Sequence, residues 1–478
     1  MLFCTGEYVL FLAAVVTVYW LTPWPRVRVW ILVGASYYFY YRFNQWLALV
    51  VATSSVMDYL IARGMDATGR PGRRKLLLIA SLCMNLGLLC YFKYVNFFIE
   101  SYFQALDIAY DREKDLLKII LPIGISFYTF EAINYTVDVY RRKIRAERNL
   151  DHFLLFILFF PHLVAGPIVR AADFLPQVKK IKHWDWSRVG LGVGLLVLGA
   201  FKKLAIADRM ALFVDPVFKN VGDYSSSASW TAAVAFALQV YCDFSGYSDM
   251  ALGAAHLFGF KLVINFKMPF LSANITEFWR RWHISLSTWL RDYLFIPLGG
   301  SRHGDFKTNR NLLITMTLAG LWHGANWPMV MWGFLMGVWQ VAHRLATQAL
   351  RPFPGVRAVL SSPPGWVLRV AITFAVFCIT LAVFRSPSLH AGGVMLTKMF
   401  VPTPGKPAPL HMQAFWVTVL IVIAGHAIGW YLTRSPMVWK RAWQLTPAPA
   451  LGVVGAAVLL FAIVLSPGAT KAFIYFQF

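Results

Sequence analysis

Long apolar runs separated by short polar loops set the pattern of this chain. The runs Tyr8 to Leu21, Val29 to Tyr41, Trp46 to Ala62, Leu76 to Ile99 and Ile119 to Val139 follow one another without an amphipathic globular stretch between them. A helix crossing a bilayer needs ~20 mainly apolar residues, so each run predicts a membrane helix. Further spans are expected near residues 190–213, 228–250, 311–323, 326–346, 367–385, 412–432 and 450–466, which brings the total to about 11. Between them the pattern breaks. Phe153 to Val164 falls short of the ~20 residues of a span and ends in the helix breaker Ala165-Gly166-Pro167. Residues 150–185 therefore read as a re-entrant or interfacial element, tolerated at membrane depth only where protein or a water-filled cavity surrounds it. Residues 351–365 and 386–411, rich in Pro and Gly, read as loops. The fold class predicted is an all-α polytopic membrane protein forming one integral-membrane domain: N-terminal helices over 1–148, a re-entrant and catalytic core over 149–346, and C-terminal helices over 347–478.

Composition agrees with a bilayer setting, since 58% of residues are apolar, 14% are charged and the mean hydropathy is +0.56. The net charge of +23 would point a soluble protein toward nucleic acid. Here the basic residues lie in short loops, among them Arg70, Arg73, Arg74 and Lys75 and then Arg141, Arg142, Lys143, Arg145 and Arg148. That distribution is the positive-inside signature of membrane insertion, and nucleic acid is set aside. Two spans separate the basic loops, so they share one side, and an N-terminus outside makes that side the inner one. Five scattered cysteines without a CxxC pair support neither a disulfide framework nor a thiolate zinc site.

Chemistry concentrates between residues 241 and 327. Tyr241 to Asp249 places Asp243 and Asp249 in aromatic surroundings; Lys267 follows in Asn265-Phe266-Lys267, then Arg280, Arg281 and His283 in Phe278 to Ser285, and His323 and Asn326 in Leu321 to Trp327. Ionisable groups inside membrane segments are costly and mark a pathway or a reacting centre. His323 ends an apolar run, beside Trp322 and one turn before Asn326. A neutral imidazole there can take a proton from a hydroxyl, with Asn326 fixing its tautomer or polarising a carbonyl; the alternative is a helix-terminal histidine bonded to a carbonyl. His283, close behind two arginines, reads as interfacial or functional. Lys267, Arg280, Arg281 and Arg291 serve as orientation signals or bind donor phosphates, and Asp243, Asp249 and Glu277 are expected to pair with them. Gly192-x-Gly194 with Gly199 looks like a dinucleotide loop, but no strand precedes it, and small residues on membrane helices serve close packing. His283, His303, His323 and His343 recur every 20 residues on no common helix face, so no metal site is expected.

These segments resemble the membrane-bound O-acyltransferase superfamily, and within it the bacterial alginate O-acetylation branch. The matching stretches are Leu121 to Phe130 with Asp138 to Arg141, Phe160 to Ile168, Tyr241 to Asp249, Phe278 to Ser285, Tyr293 to Gly300, Leu321 to Trp327 and Phe473 to Phe478. The resemblance implies helices around a central tunnel, a thioester donor, acetyl-CoA, arriving from the cytoplasm, and transfer of its acyl group to the outer side. The family's invariant histidine falls on His323 and its second on His283. A further histidine that relatives often carry shortly after the pair matched by Trp332-Gly333 is absent here, where Met336 stands.

The implied mechanism uses His323 as general base and a hydrogen-bond donor, His283 or Asn326, on the thioester oxygen, with Lys267, Arg280, Arg281 and Trp322 as donor-binding residues. The implied setting is the bacterial inner membrane, with the N-terminus extracytoplasmic and the lipid bilayer around the chain. A periplasmic partner protein and a polysaccharide acceptor are implied with it. Two rivals remain: D-alanyl transfer toward teichoic acids from a carrier-protein donor, and a non-enzymatic transporter or flippase using the two histidines as a proton relay. The absence of a detectable internal repeat weighs against the second.

Overall fold

A computed structural model describes residues 3–43, 45–163, 166–409, 412–435, 446–467 and 473–474. Among the described residues every regular element is a helix apart from one isolated bridge, and the chain packs as two compact units, residues 1–196 with 248–263 and residues 197–247 with 264–478.

In the first unit the apolar runs become the helices Gly6–Leu21, Pro25–Tyr41, Leu47–Ala67 and Pro71–Leu89, the last continuing through a π-helical turn into Val95–Ala105. Their starts follow local chemistry. Thr5 Oγ1 accepts the Tyr8 N–H, and Pro25 and Pro71 occupy first helical positions, where the missing N–H costs nothing. The buried carboxylate Asp58 is satisfied from a neighbouring helix, accepting from Ser81 Oγ at 2.6 Å and Asn85 Nδ2 at 2.9 Å.

The span expected over Ile119 to Val139 is different. The helix is Ile125–Tyr140, and it begins after Gly124, which has φ +75°. Pro122 disfavours helix in the residue before it, so the start moves later and 16 residues remain. Nearly all of them are buried, which makes this an interior helix rather than a lipid-facing span. The 150–185 stretch forms the short helices Leu150–Leu158, Phe160–Leu163 and Ala171–Val178; Val164 and the Ala165 of the breaker lie outside the described residues. Its irregular backbone is held by the interior helix: Glu131 Oε1 accepts the Val169 N–H at 2.8 Å and lies 3.2 Å from His162 Nδ1, and Asn134 Nδ2 donates to the Val169 carbonyl at 3.0 Å. Buried backbone groups outside helices need such partners.

Six described helices are long and apolar enough to cross a membrane: Leu47–Ala67, Pro71–Ala105, Trp186–Lys219, Pro363–Arg385, Met412–Arg434 and Ala448–Leu465. Two of them belong to the first unit, and Gly6–Leu21 is a shorter apolar helix beside them. Trp186–Lys219 relaxes, within its second-unit part, into a π-helical turn over Lys202–Ala207. This turn buries Lys203 between Asp243, at 2.6 Å, and Asp208, at 2.8 Å. A lone ammonium in an apolar interior is prohibitive, whereas one held by two carboxylates is paired. The stretches read as loops contain the helices Pro354–Ser361 and Leu389–Phe400. Proline marks starts here instead of breaks: Pro354 opens the first, Pro363 opens the span that follows it, and Ser388 Oγ caps the second by accepting from Ala391 N–H.

Candidate active site

The site lies in the second unit and is built from two pieces of chain. The first is the connection from Ile264 to His283, which follows the Ser226–Leu257 helix and leads into Ile284–Leu290. Two backbone bonds fold this connection on itself: Ile284 N–H donates to the Asn265 carbonyl at 2.9 Å, and Lys267 N–H to the Arg281 carbonyl at 2.8 Å. His283, at the turn into the helix, has φ +43° and ψ +54°, a left-handed conformation uncommon outside glycine, though histidine enters it more readily than most residues. Such strain persists only where the surroundings enforce it. Here it sends the imidazole into the interior, where the side chain is fully buried and meets the Phe244 ring edge-on at 4.6 Å.

Asn265 sets the chemistry of that imidazole. Its Oδ1 accepts the Ser285 backbone N–H at 3.2 Å and the Ser285 hydroxyl at 2.9 Å, and lies 3.2 Å from His283 Nδ1. A backbone N–H can only donate, so this atom is the amide oxygen and Nδ1 must carry the proton. Neutral imidazole has one N–H, so His283 Nε2 presents a lone pair. That atom is buried and has no hydrogen-bond partner among the described residues.

The second piece is the hairpin of Gly304–His323 and Trp327–Ala349. The first helix stops at His323 because Gly324 is extended; Asn326 Oδ1 then caps the second by accepting Met329 N–H at 2.9 Å, and Pro328 sits in its first turn. The helices touch backbone to backbone. A Cβ on Gly320 would lie 2.8 Å from Gly333 Cα, and one on Gly333 the same distance from Gly320 Cα. This small-residue contact brings His323 and Trp332 together, their rings edge-on at 5.2 Å, with Phe384 6.1 Å from His323.

The structure thus brings His283 and His323 face to edge with centroids 6.3 Å apart, Trp322 beside both at 6.2 and 5.0 Å. Trp332 adds a buried indole Nε1–H without a partner among the described residues. A bare acceptor and a bare donor at one apolar centre are groups kept for a ligand, since buried polar atoms are otherwise bonded.

The remaining expected residues are placed apart from this centre or in supporting roles. Trp322 is buried in the wall, while Lys267 and Arg280 are exposed. Arg281 pairs with Glu277 at 2.7 Å, as expected, and Arg291 with its neighbour Asp292 at 2.7 Å. Asp243 pairs with Lys203 rather than with the cations downstream; its other oxygen accepts the Ile474 N–H at 2.8 Å. This seats Phe473 against Tyr247 at 4.5 Å and Phe244 at 5.6 Å, behind His283. Of the C-terminal motif only residues 473–474 are described. Met336 is fully buried one turn beyond Trp332.

The family model for membrane-bound O-acyltransferases matches residues 140–384, which include every residue of this centre. The chain belongs to that family. It is therefore an acyltransferase and a multi-pass membrane protein. The acyltransferase is 37% identical to the probable alginate O-acetylase of Azotobacter vinelandii over 98% of both chains, and 41% identical to that of Pseudomonas syringae pv. tomato over 82% of this chain and 73% of the other. It is 35% identical to the peptidoglycan O-acetyltransferase of Helicobacter pylori over 78% of this chain and 73% of that one. Asn265 and the Trp332 N–H were not singled out from the sequence of the acyltransferase; the available signal was a lone Asn directly after the apolar Leu262-Val263-Ile264.

Proposed function

We propose that this acyltransferase moves an acetyl group from a cytoplasmic thioester, acetyl-CoA, to hydroxyls of an extracytoplasmic polysaccharide. It does so from the bacterial inner membrane, with its N-terminus outside, and it hands the acetyl group on through a periplasmic partner protein. The observation that carries the reading is the buried centre in which His283 Nε2 and Trp332 Nε1–H, one acceptor and one donor, surround His323. The acetyl transfer itself is supported by the relatives' names.

In this proposal His323 takes the proton of the attacking hydroxyl as its oxygen bonds to the thioester carbonyl carbon. The oxyanion that forms is held by the Trp332 N–H, the C–S bond breaks, and the thiolate recovers the proton from His323. The sequence leaves either His283 or Asn326 as the donor to the oxyanion. With Nδ1–H directed at Asn265, His283 Nε2 accepts instead, taking a hydrogen bond from a second hydroxyl of the acceptor and so holding the acceptor beside His323. Asn326 spends its oxygen on the helix cap and keeps an amide N–H for the donor. Trp322 walls the acyl end, and Lys267, Arg280 and Arg281 meet the donor's phosphates.

The test is ester-linked acetate on the surface polysaccharides of three strains: a deletion, the deletion restored with wild type, and the deletion restored with His323→Ala at equal membrane abundance. Acetate lost on deletion and regained only with wild type is the expected result. Loss of a general base lowers the rate ~10²–10⁴-fold, and Trp332→Phe, which removes one oxyanion donor, ~10²–10³-fold. Unchanged acetate with loss of another ester, such as D-alanine, overturns the substrate, and full restoration by His323→Ala overturns the base.

A further inference from the structure

Away from the acyl-transfer centre, the first unit contains a cavity of about 670 Å³ bordered by Lys180, Lys182, Arg188 and Lys261, with Phe260 and His256 in its wall. None of the four cations pairs with a carboxylate among the described residues. The acidic group beside them, Asp185, has an oxygen engaged by the backbone N–H groups of Ser187 and Arg188. Lys182 Nζ sits 4.5 Å over the Phe260 ring, and Arg188 donates to the Gly259 carbonyl at 3.2 Å. Gly259 has φ +82°, and a Cβ there would meet the Arg188 guanidinium at 2.9 Å, so the backbone is shaped to hold that cation in place. Burial, then the neighbouring Arg188 and Lys180, pull Lys182 down to about 8. The cavity is thus a preformed positive site lacking its counter-charge.

Its level relative to a bilayer is marked by tryptophan. Trp20, Trp184 and Trp186 form a run of edge-to-face rings at 5.3 and 5.0 Å, and the last two are exposed. Tryptophan collects at the membrane–water interface, and basic pockets at that level recognise phosphorylated headgroups. We propose that this cavity binds a phosphate group, carried by an anionic phospholipid headgroup at the membrane surface. The two cations fixed over Phe260 and Gly259 meet the phosphate oxygens, and Lys180 and Lys261 close the open side.

The test is native mass spectrometry of the purified full-length protein, titrated separately with short-chain phosphatidylglycerol, phosphatidylcholine of equal chain length and coenzyme A. Wild type is expected to bind phosphatidylglycerol at least about tenfold more tightly than phosphatidylcholine. Lys182→Ala/Arg188→Ala is expected to lose that preference, while Lys182→Arg and the distant surface variant Lys118→Ala keep it. Phosphatidylglycerol binding that survives excess coenzyme A assigns the lipid. Coenzyme A that competes, and that loses affinity in the same double variant, keeps the phosphate site but gives it to a soluble ligand. Equal binding of the two lipids by wild type, or undiminished phosphatidylglycerol binding by the double variant, overturns the proposal. Lys182→Gln supplies the same comparison if the double variant does not fold.

Discussion

A single methyl group at Gly320 should disable the site without touching a substrate. The Cβ of Gly320→Ala would stand 2.8 Å from Gly333 Cα, where ordinary contact is 3.4–4 Å, and closer still to the Met329 carbonyl. Both neighbours are backbone, and the nearer one requires the hairpin helices to part by at least about 1.2 Å. His323 lies three residues beyond Gly320 and Trp332 directly precedes Gly333, so the separation falls on the proton acceptor and the oxyanion donor together. A misplacement of ~1 Å costs ~10²-fold in rate, or about 2.7 kcal/mol at 1.36 kcal/mol per tenfold. The assay is acyl transfer by purified protein in detergent, with Gly34→Ala as the control, because a Cβ at Gly34 meets nothing within 4 Å. Gly320→Ala with more than about a third of wild-type turnover would refute the claim that this helix contact sets the distance between the catalytic groups. A matched melting temperature separates the effect from loss of fold.

Asn265→Leu removes the oxygen that fixes the His283 proton on Nδ1; it should lower kcat by ~10-fold or more at nearly constant KM, whereas Asn265→Asp, which still accepts from Nδ1, should keep most of the rate, as the loss of one to two hydrogen bonds at ~1 kcal/mol each requires. Lys182, held near 8 by burial and by Arg188 and Lys180, is about half neutral at pH 8, against about 0.4% for an ordinary lysine near 10.4. Amine-reactive labelling followed by peptide mapping should therefore find it modified first, with the labelling rising steeply between pH 7 and 9; labelling no faster than at Lys118 would contradict the like-charge crowding. Lys203→Met leaves Asp208 and Asp243 without their shared cation and should cost ~3–5 kcal/mol of stability, read as a lowered melting temperature that Lys203→Met/Asp243→Asn partly restores.

The sequence made the helical membrane fold and its two histidines legible for different reasons. Apolar runs such as Leu76 to Ile99 and 367–385 announce themselves because lipid demands uniform hydrophobicity. Ile125–Tyr140 is shorter than its apolar run because Pro122 and Gly124 delay its start, and its burial was hidden because interior and lipid-facing helices share one apolar pattern. Pro354 and Pro363 read as loop residues because proline opens helices as readily as it ends them. His323 stood out as a titratable group at the end of an apolar run. The partners of the site were hidden by distance along the chain. Lys203 and Asp243 are 40 residues apart, and His283 and Asn265 are 18 apart. No periodicity reports a bond made through a left-handed residue in a non-helical connection.

The bond from the Ile474 N–H to Asp243 ties together residues 231 positions apart. Phe473 stands behind Phe244, and Phe244 is the surface on which the strained His283 rests. The ribosome must therefore extend the chain at least to residue 474 before His283 acquires its full backing. Both histidines enter the bilayer well before that, along with the hairpin that carries His323. A nascent chain stalled short of residue 473 therefore carries both histidines without the ring that stands behind Phe244, the surface that backs the strained imidazole.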